Sequence, residues 1–169
     1  RSHLHFEIGL RLTDQIQNWY NKKRFSSKNR HGNYSGFNLV GIDPIQFYSE
    51  YKKKSFSTPG DFLRSLSPSV IVQVKTNKTP DFVSRYPSLS KAKKSSNSNG
   101  WKVTFGPYGI PLLIEPVTKS IGPKEKQIQV LHFNPESQKK PCRRLTKKIG
   151  ERYIPTEQLQ TYLELIFEL

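Results

Sequence analysis

The segment "VIVQVKT", Val70 to Thr76, decides the fold because it is the strongest strand candidate by its content of β-branched residues. Such residues favour strands. Alternate side chains of a strand point to opposite faces, so Gln73 and Lys75 share one face while Val72 and Val74 pack behind them. We therefore predict a strand here whose valine side faces the core.

The segments around this strand predict further strands and helices. Alternation or short apolar runs predict strands over Phe37–Ile42, Trp101–Phe105, Leu112–Val117 and Gln127–Phe133, the second and third forming a hairpin. Apolar residues spaced three or four apart predict helices over about residues 4–21 and over Pro155–Leu169. The order predicts one α+β (or mixed α/β) domain, residues 1–169, with a central mixed sheet of about four to five strands flanked by helices. Long basic loops, including a mobile one at 85–100, complete the predicted domain.

Two Xaa-Pro pairs predict the starts of two more helices, at Asp43-Pro44 and Thr58-Pro59. The side-chain oxygen of Asp or Thr accepts from the free amides of the first turn, and proline at the first helical position lacks an amide that would be unpaired anyway. We expect the second of these helices to span Pro59–Leu66. We expect the first to bury one face, made of Ile45, Tyr48 and Tyr51.

The charge of the chain indicates a polyanionic partner. Its 28 Lys and Arg against 13 Asp and Glu give a net charge of +15 at pH 7. Nucleic acid is the leading candidate for such an excess, whereas a membrane surface is not expected because the chain has no lysine-rich amphipathic helix with a clean apolar face. The single Cys142 excludes an internal disulfide and a cysteine-based zinc site, and fits a reducing, intracellular compartment.

Basic residues concentrate in three clusters that we predict to lie in loops, where side chains reach a phosphate backbone. The first comprises Lys22, Lys23, Arg24, Lys28 and Arg30; the second Lys75, Lys78, Arg85, Lys91, Lys93, Lys94 and Lys102; the third Lys139, Lys140, Arg143, Arg144, Lys147 and Lys148. Aromatic residues lie between these cations and can stack on exposed bases, including Phe25, His31 and Tyr34 in the first cluster and Trp101 beside the second. The sequence therefore predicts a nucleic-acid-binding protein.

A second interpretation starts from "GID", Gly41 to Asp43, at the end of one strand and "VQVK", Val72 to Lys75, in a later one. Together they resemble the PD-(D/E)XK nuclease superfamily. The resemblance implies Asp43 and Gln73 as ligands of Mg²⁺, Lys75 as the residue that orients or activates the attacking water, and Glu7 as a fourth member of the site. It also implies a metal-dependent DNA endonuclease of restriction or homing type, DNA rather than RNA as substrate, and a homodimer.

The sequence leaves these alternatives open. A binding module needs no cofactor, whereas the nuclease needs Mg²⁺. A structural RNA-binding protein of a ribonucleoprotein fits the same basic clusters, and an interaction domain for another kind of partner is a third class. Asp43 also has a purely structural explanation as the cap of the helix that begins at Pro44.

Overall fold

A computed structural model of the chain describes residues 6–91, 98–139 and 144–169. Within these ranges the strands are β1 (Gly9–Arg11), β2 (Leu39–Gly41), β3 (Val70–Lys75), β4 (Gly100–Phe105), β5 (Pro111–Pro116), β6 (Ile128–Phe133), β7 (Thr146–Ile149) and β8 (Arg152–Pro155). The helices are α1 (Ile16–Lys23), α2 (Pro44–Lys52), α3 (Pro59–Ser65), α4 (Asp81–Arg85) and α5 (Glu157–Phe167). The fold is α+β, as predicted.

The predicted central strand is confirmed as β3, an inner strand of a four-stranded antiparallel sheet with the order β5-β4-β3-β6. Val70, Val72 and Val74 are fully buried. Gln73 lies on the other face, between Lys102 of β4 and Gln129 of β6. The alternation of apolar and polar residues in "VIVQVKT" thus sets which side of the sheet meets the core.

The core lies on the valine face of this sheet. Trp101, Val103 and Phe105 of β4 are fully buried beside the β3 valines. Helix α5 contributes Leu159, Leu163, Leu165, Ile166 and Phe167 to the same cluster. The Trp101 ring lies 6.4 Å from the ring of Phe167, so the C-terminal helix packs against the predicted hairpin.

The predicted helix over residues 4–21 is confirmed from Ile16 onward, whereas its first part is wrong within the described range because Gly9–Arg11 form a strand. Gly9 allows the close pairing of β1 with β2, since a Cβ atom there would lie 2.7 Å from the Val40 carbonyl oxygen. The buried Asn38 side chain accepts from the Thr13 amide at 2.9 Å and donates to the Thr13 carbonyl at 2.8 Å. These tertiary hydrogen bonds hold the residues before Ile16 out of the helix and override the apolar periodicity.

Both predicted helix caps are confirmed. Asp43 accepts from the amides of Ile45 and Gln46 at 2.9 and 3.2 Å. Thr58 and Asp61 form a reciprocal capping box at the start of α3.

The predicted buried face of α2 is wrong, since Ile45, Tyr48 and Tyr51 are 81%, 46% and 61% exposed. The helix packs instead through Phe47, whose ring lies 5.2 Å from Phe56 and 5.1 Å from Phe62.

Two basic loops contain more structure than the sequence predicts. Thr146–Pro155 form the β7–β8 hairpin, which turns at Gly150 with a positive φ of 57°. In the segment predicted as a mobile loop, Pro87–Leu89 form a 3-10 turn that buries Leu89, while residues 92–97 lie outside the described ranges. In the part of the chain that the structure describes, no helix has the length and apolar character needed to cross a bilayer.

Candidate nucleic-acid interface

Ion pairs divide the predicted phosphate-binding cations into two groups. In the second cluster, Lys78 hydrogen-bonds to the Glu168 carbonyl oxygen at 2.8 Å, and the Lys91 ammonium lies 2.9 Å from Glu115. Arg85 is bound by both Asp14 and Asp81, with 15% of its side chain exposed. Burial opposes the charge of the Arg85 guanidinium, but the two carboxylates raise its pKa above the ordinary value. Arg85 therefore ties α4 to the segment before α1, which corrects its prediction as a phosphate ligand.

The prediction that Trp101 stacks on a base is also wrong. Trp101 is fully buried, and its indole Nε1 donates to the Lys78 carbonyl oxygen at 2.8 Å. It occupies a core-facing position of β4 opposite Val74, so strand alternation directs it inward. Four predicted contacts lie outside the described residues: Lys93, Lys94, Lys140 and Arg143.

The first cluster keeps its cations exposed. Within the described ranges, Lys22, Arg24, Lys28 and Arg30 are exposed and form no ion pair. Only Lys23 is neutralised, by Glu164 at 2.8 Å, and its ammonium also lies 5.6 Å from the Trp19 ring. The C-terminal end of α1 therefore presents free positive charge that a phosphate backbone can neutralise.

Two phenylalanine rings stack beside these cations. The ring centroids of Phe25 and Phe37 are 5.2 Å apart and their planes are 17° from parallel. Both rings rest on Trp19, at 5.8 and 5.4 Å, yet they remain 40% and 45% exposed. We call Phe25 and Phe37 the aromatic pair. The sequence predicts Phe25 as a stacking residue but assigns Phe37 to a buried strand, which starts instead at Leu39.

Hydrogen bonds hold the loop that carries the aromatic pair. The buried Asn38 side chain connects the Asn33 carbonyl to Thr13. Asn29 donates to the Gly32 carbonyl at 3.1 Å and accepts from the His31 amide at 3.2 Å. The Tyr20 and Ser27 hydroxyls lie 3.1 Å apart. The basic segment therefore has a defined shape next to the aromatic pair.

Two grooves flank the aromatic pair. One, of about 950 Å³, lies between Phe37, Tyr20 and the segment containing Lys28, Arg30 and His31. The other, of about 510 Å³, is lined by both phenylalanines, by Lys23 and Lys147, and by the carboxylates of Glu157 and Glu164. The structure thus brings the first cluster and part of the third together around one exposed aromatic surface.

The third cluster contributes unevenly to this surface. Lys147 pairs with Ile154 across the β7–β8 hairpin, and both line the groove beside the aromatic pair. Lys148 lies on the other face, opposite Tyr153, whose ring centroid lies 3.6 Å from that of Phe133. Lys139 is bound to Glu136 at 2.5 Å. Arg144 is exposed just before the hairpin.

The residues of the predicted nuclease site form two separate pairs. The Ile42 amide donates to the Ile8 carbonyl at 2.8 Å, so Glu7 and Asp43 are the next residues along the paired β1 and β2 segments. Glu7 lies in an exposed segment before β1 and not on a helix as predicted. Gln73 and Lys75 share the polar face of β3, which belongs to a different sheet.

The side chains of Asp43 and Lys75 form hydrogen bonds with backbone groups and not with one another. The Asp43 carboxylate caps α2, and the Lys75 ammonium donates to the carbonyls of Gly122 and Pro123 at 2.8 and 3.2 Å. Among the residues that the structure describes, no three or more His, Cys, Asp or Glu lie together in a way that could hold a metal ion. The arrangement of Asp43 and Gln73 therefore does not fit the implied Mg²⁺.

The polar face of the central sheet carries an internal ion network. Glu115 of β5 binds Lys102 at 2.6 Å and Lys91 at 2.9 Å. Burial opposes the negative charge of Glu115, but the hydrogen bonds from Lys102 and Lys91 hold the pKa of its carboxyl below the ordinary value. Positive charge on this face is therefore partly compensated, unlike that around the aromatic pair.

Comparison of the chain with protein-family models, with curated proteins and with solved structures found no match.

Proposed function

We propose that this protein binds nucleic acid through the surface around the aromatic pair. The observation that carries the proposal is the convergence of unpaired cations from two distant segments, Lys28 and Arg30 on one side and Lys147 on the other, beside two exposed rings. Lysine and arginine neutralise phosphates, and the hydroxyls and amides of the same loop add hydrogen bonds to the backbone.

The charge balance supports the same proposal. With 28 cations and 13 carboxylates, many basic residues have no acidic partner to bind. Glu164, Glu115, Asp14 and Asp81 pair with cations of the core-facing helices and the sheet. The uncompensated charge at the end of α1 and on β7 is of the kind that steers a polyanion and then binds it.

The test is the salt dependence of binding to a fluorescent oligonucleotide, measured by anisotropy. If several phosphates are neutralised, log Kd rises linearly with log salt, and the slope gives the number of ion contacts. We expect Lys28→Glu to weaken binding and lower this slope. Lys52→Glu on α2 is the matched control, because it makes the same charge change at an exposed residue that lines neither groove. Equal effects of the two substitutions would contradict the proposed surface.

The resemblance to nucleases makes DNA the first ligand to test, with RNA of the same sequence as the second arm. The molecular mass of the free protein and of its complex in solution tests for the homodimer that the resemblance implies. Salt-dependent binding to RNA alone would favour the structural RNA-binding alternative.

A metal-dependent endonuclease remains the second prediction. Gln73 and Lys75 share the polar face of β3, and Glu7 and Asp43 are adjacent along the paired β1 and β2 segments, but the Asp43 carboxylate caps α2 and its arrangement with Gln73 does not fit Mg²⁺. The two pairs lie in different sheets, so we place the binding function first.

A further inference from the structure

We infer that the ligand of this surface is single-stranded, and that at least one unpaired base stacks on the aromatic pair. The inference rests on the proposed function and adds the state of the nucleic acid. Cations alone do not discriminate between single strands and duplexes, because both present phosphates. The discrimination comes from Phe25 and Phe37.

The aromatic pair offers apolar ring surface that its own fold does not use. Trp19 beneath it is only 6% exposed, whereas Phe25 and Phe37 keep 40% and 45% of their surface in water. Phe25 also contacts Tyr20, with centroids 4.6 Å apart, so the rings are fixed by neighbours on their inner side. A fixed, exposed aromatic surface is what proteins that bind single strands use for stacking, and it tolerates any base sequence.

A duplex cannot use this surface well. Bases inside a helix are covered by the base pairs above and below them, and reaching a protein ring requires the base to leave the stack. An unpaired strand carries no such cost. The grooves of about 950 and 510 Å³ on the two sides of the aromatic pair fall in the size range of ligand sites.

The charges lie where the backbone of a stacked strand needs them. Lys28 and Arg30 border the first groove, and Lys147 borders the second, where Glu157 and the ion pair of Lys23 with Glu164 also lie. A strand that crosses the aromatic pair therefore meets cations before and after the stacked base. Alternating contacts to phosphates and bases are the usual basis of single-strand affinity.

The experiment compares three ligands with the same number of phosphates per strand: a single-stranded oligonucleotide, its abasic counterpart and the corresponding duplex. Anisotropy at one fixed salt concentration gives the three affinities. We expect the single strand to bind roughly five- to a hundredfold more tightly than the abasic strand, the range that one stacked base supplies. We expect the duplex to gain no affinity from stacking, because its bases are paired and only its phosphate backbone contacts the protein.

The matching variant is Phe25→Leu combined with Phe37→Leu, which keeps apolar cover over Trp19 and removes the π surface. It should lower single-strand affinity to that of the abasic strand and leave abasic and duplex binding unchanged. Tyr48→Leu, at an exposed aromatic residue on α2, is the control and should change none of the three affinities. Circular dichroism and thermal melting check that each variant is folded.

The outcomes separate the inference from the function on which it rests. If no oligonucleotide binds with a salt-dependent affinity, the proposed function fails. If all three ligands bind equally and the double leucine variant behaves like the native protein, nucleic-acid binding stands and base stacking is excluded. If the duplex binds more tightly than the single strand, the inference is overturned in favour of groove binding.

Discussion

Lys147 and Lys148 are neighbours in sequence but point to opposite faces of the β7–β8 hairpin. Lys147 lines the groove beside the aromatic pair, whereas Lys148 lies opposite Tyr153 on the other face. The chain thus contains its own matched comparison, two exposed lysines with the same local structure and different surroundings.

Lys147→Glu should weaken nucleic-acid binding and lower the salt slope by about one, because one phosphate contact is lost. Lys148→Glu changes the net charge equally but should have the smaller effect. The measurement is a salt titration of oligonucleotide binding for both variants. Indistinguishable slopes would mean that the ligand covers both faces of the hairpin or neither.

Arg85 should affect stability and not binding. Arg85→Gln removes the ion pairs of Arg85 with Asp14 and Asp81, while Asp14 keeps its ion pair with Arg11 at 2.6 Å. Because the side chain is 15% exposed, we expect a loss of about 1–3 kcal/mol, less than for a fully buried pair. Chemical denaturation measures the free energy of unfolding, and oligonucleotide affinity at a temperature where the variant is folded should match the native protein. A large loss of oligonucleotide affinity in the folded variant would indicate that Arg85 contacts the nucleic acid after all.

Asn38 should anchor the loop that carries the aromatic pair. Its fully buried amide makes hydrogen bonds to Thr13 and Asn33, and Asn38→Ala leaves these buried backbone groups unsatisfied. We expect a loss of about 2–4 kcal/mol of stability, from the typical cost of one to three such groups. Asn29→Ala, in the same loop but more exposed, is the control and should cost less. Equal unfolding free energies for the two variants would contradict this anchoring role.

The Glu115 network predicts a pH dependence of stability. The pKa of the Glu115 carboxyl is lower in the folded protein than its ordinary value of 4.5. The ion pairs of Glu115 therefore stabilise the fold above pH 4.5, and this stabilisation is lost as the pH falls through the pKa that the carboxyl has in the folded protein. Glu115→Gln should therefore be less stable than the native protein near pH 7, and the difference should shrink below about pH 4.5. Thermal melting of both proteins measures this difference in stability. The measurement covers about pH 3 to pH 7, which includes the range in which carboxylates titrate. A difference that does not change with pH would show that Lys91 and Lys102 do not favour the charged form.

Local signals in the sequence predict the framework of this fold well. The alternation in "VIVQVKT" and the caps at Asp43 and Thr58 depend on neighbours in sequence, and the structure confirms all three. The predictions are wrong where residues distant in sequence determine the local structure or the buried face of a helix. Asn38 stops the predicted first helix, and Phe47 rather than Tyr48 faces the core because Phe56 and Phe62 lie there.

The candidate site was less predictable for the same physical reason. Composition identifies basic clusters, but the ion pair of a cation such as Arg85 depends on Asp14, far away in the chain. Trp101 and Phe25 are both aromatic residues near cations, and only the packing reveals that the first is buried and the second exposed. The contact between Phe25 and Phe37 has no local signal, because it forms when the loop between them closes on α1.

Asp43 provides the test between a helix cap and a metal ligand. Asp43→Ala should cost about 0.5–2 kcal/mol of stability, because the amides of Ile45 and Gln46 lose their acceptor. Asn caps helices as well as Asp does, so Asp43→Asn should retain nearly the full stability while it removes the carboxylate that a Mg²⁺ site would need.

The two variants therefore separate the two roles. If the protein cleaves DNA with Mg²⁺ and Asp43→Asn is stable but inactive, Asp43 is a metal ligand. It would then be the first supported residue of the predicted nuclease site. If Asp43→Asn retains both stability and any cleavage present, the carboxylate serves only as a cap. Because the side-chain oxygen of Asn can accept the same hydrogen bonds from the Ile45 and Gln46 amides, we expect Asp43→Asn to retain nearly the full stability and an unchanged nucleic-acid affinity. Denaturation and anisotropy on the same preparation measure the two quantities.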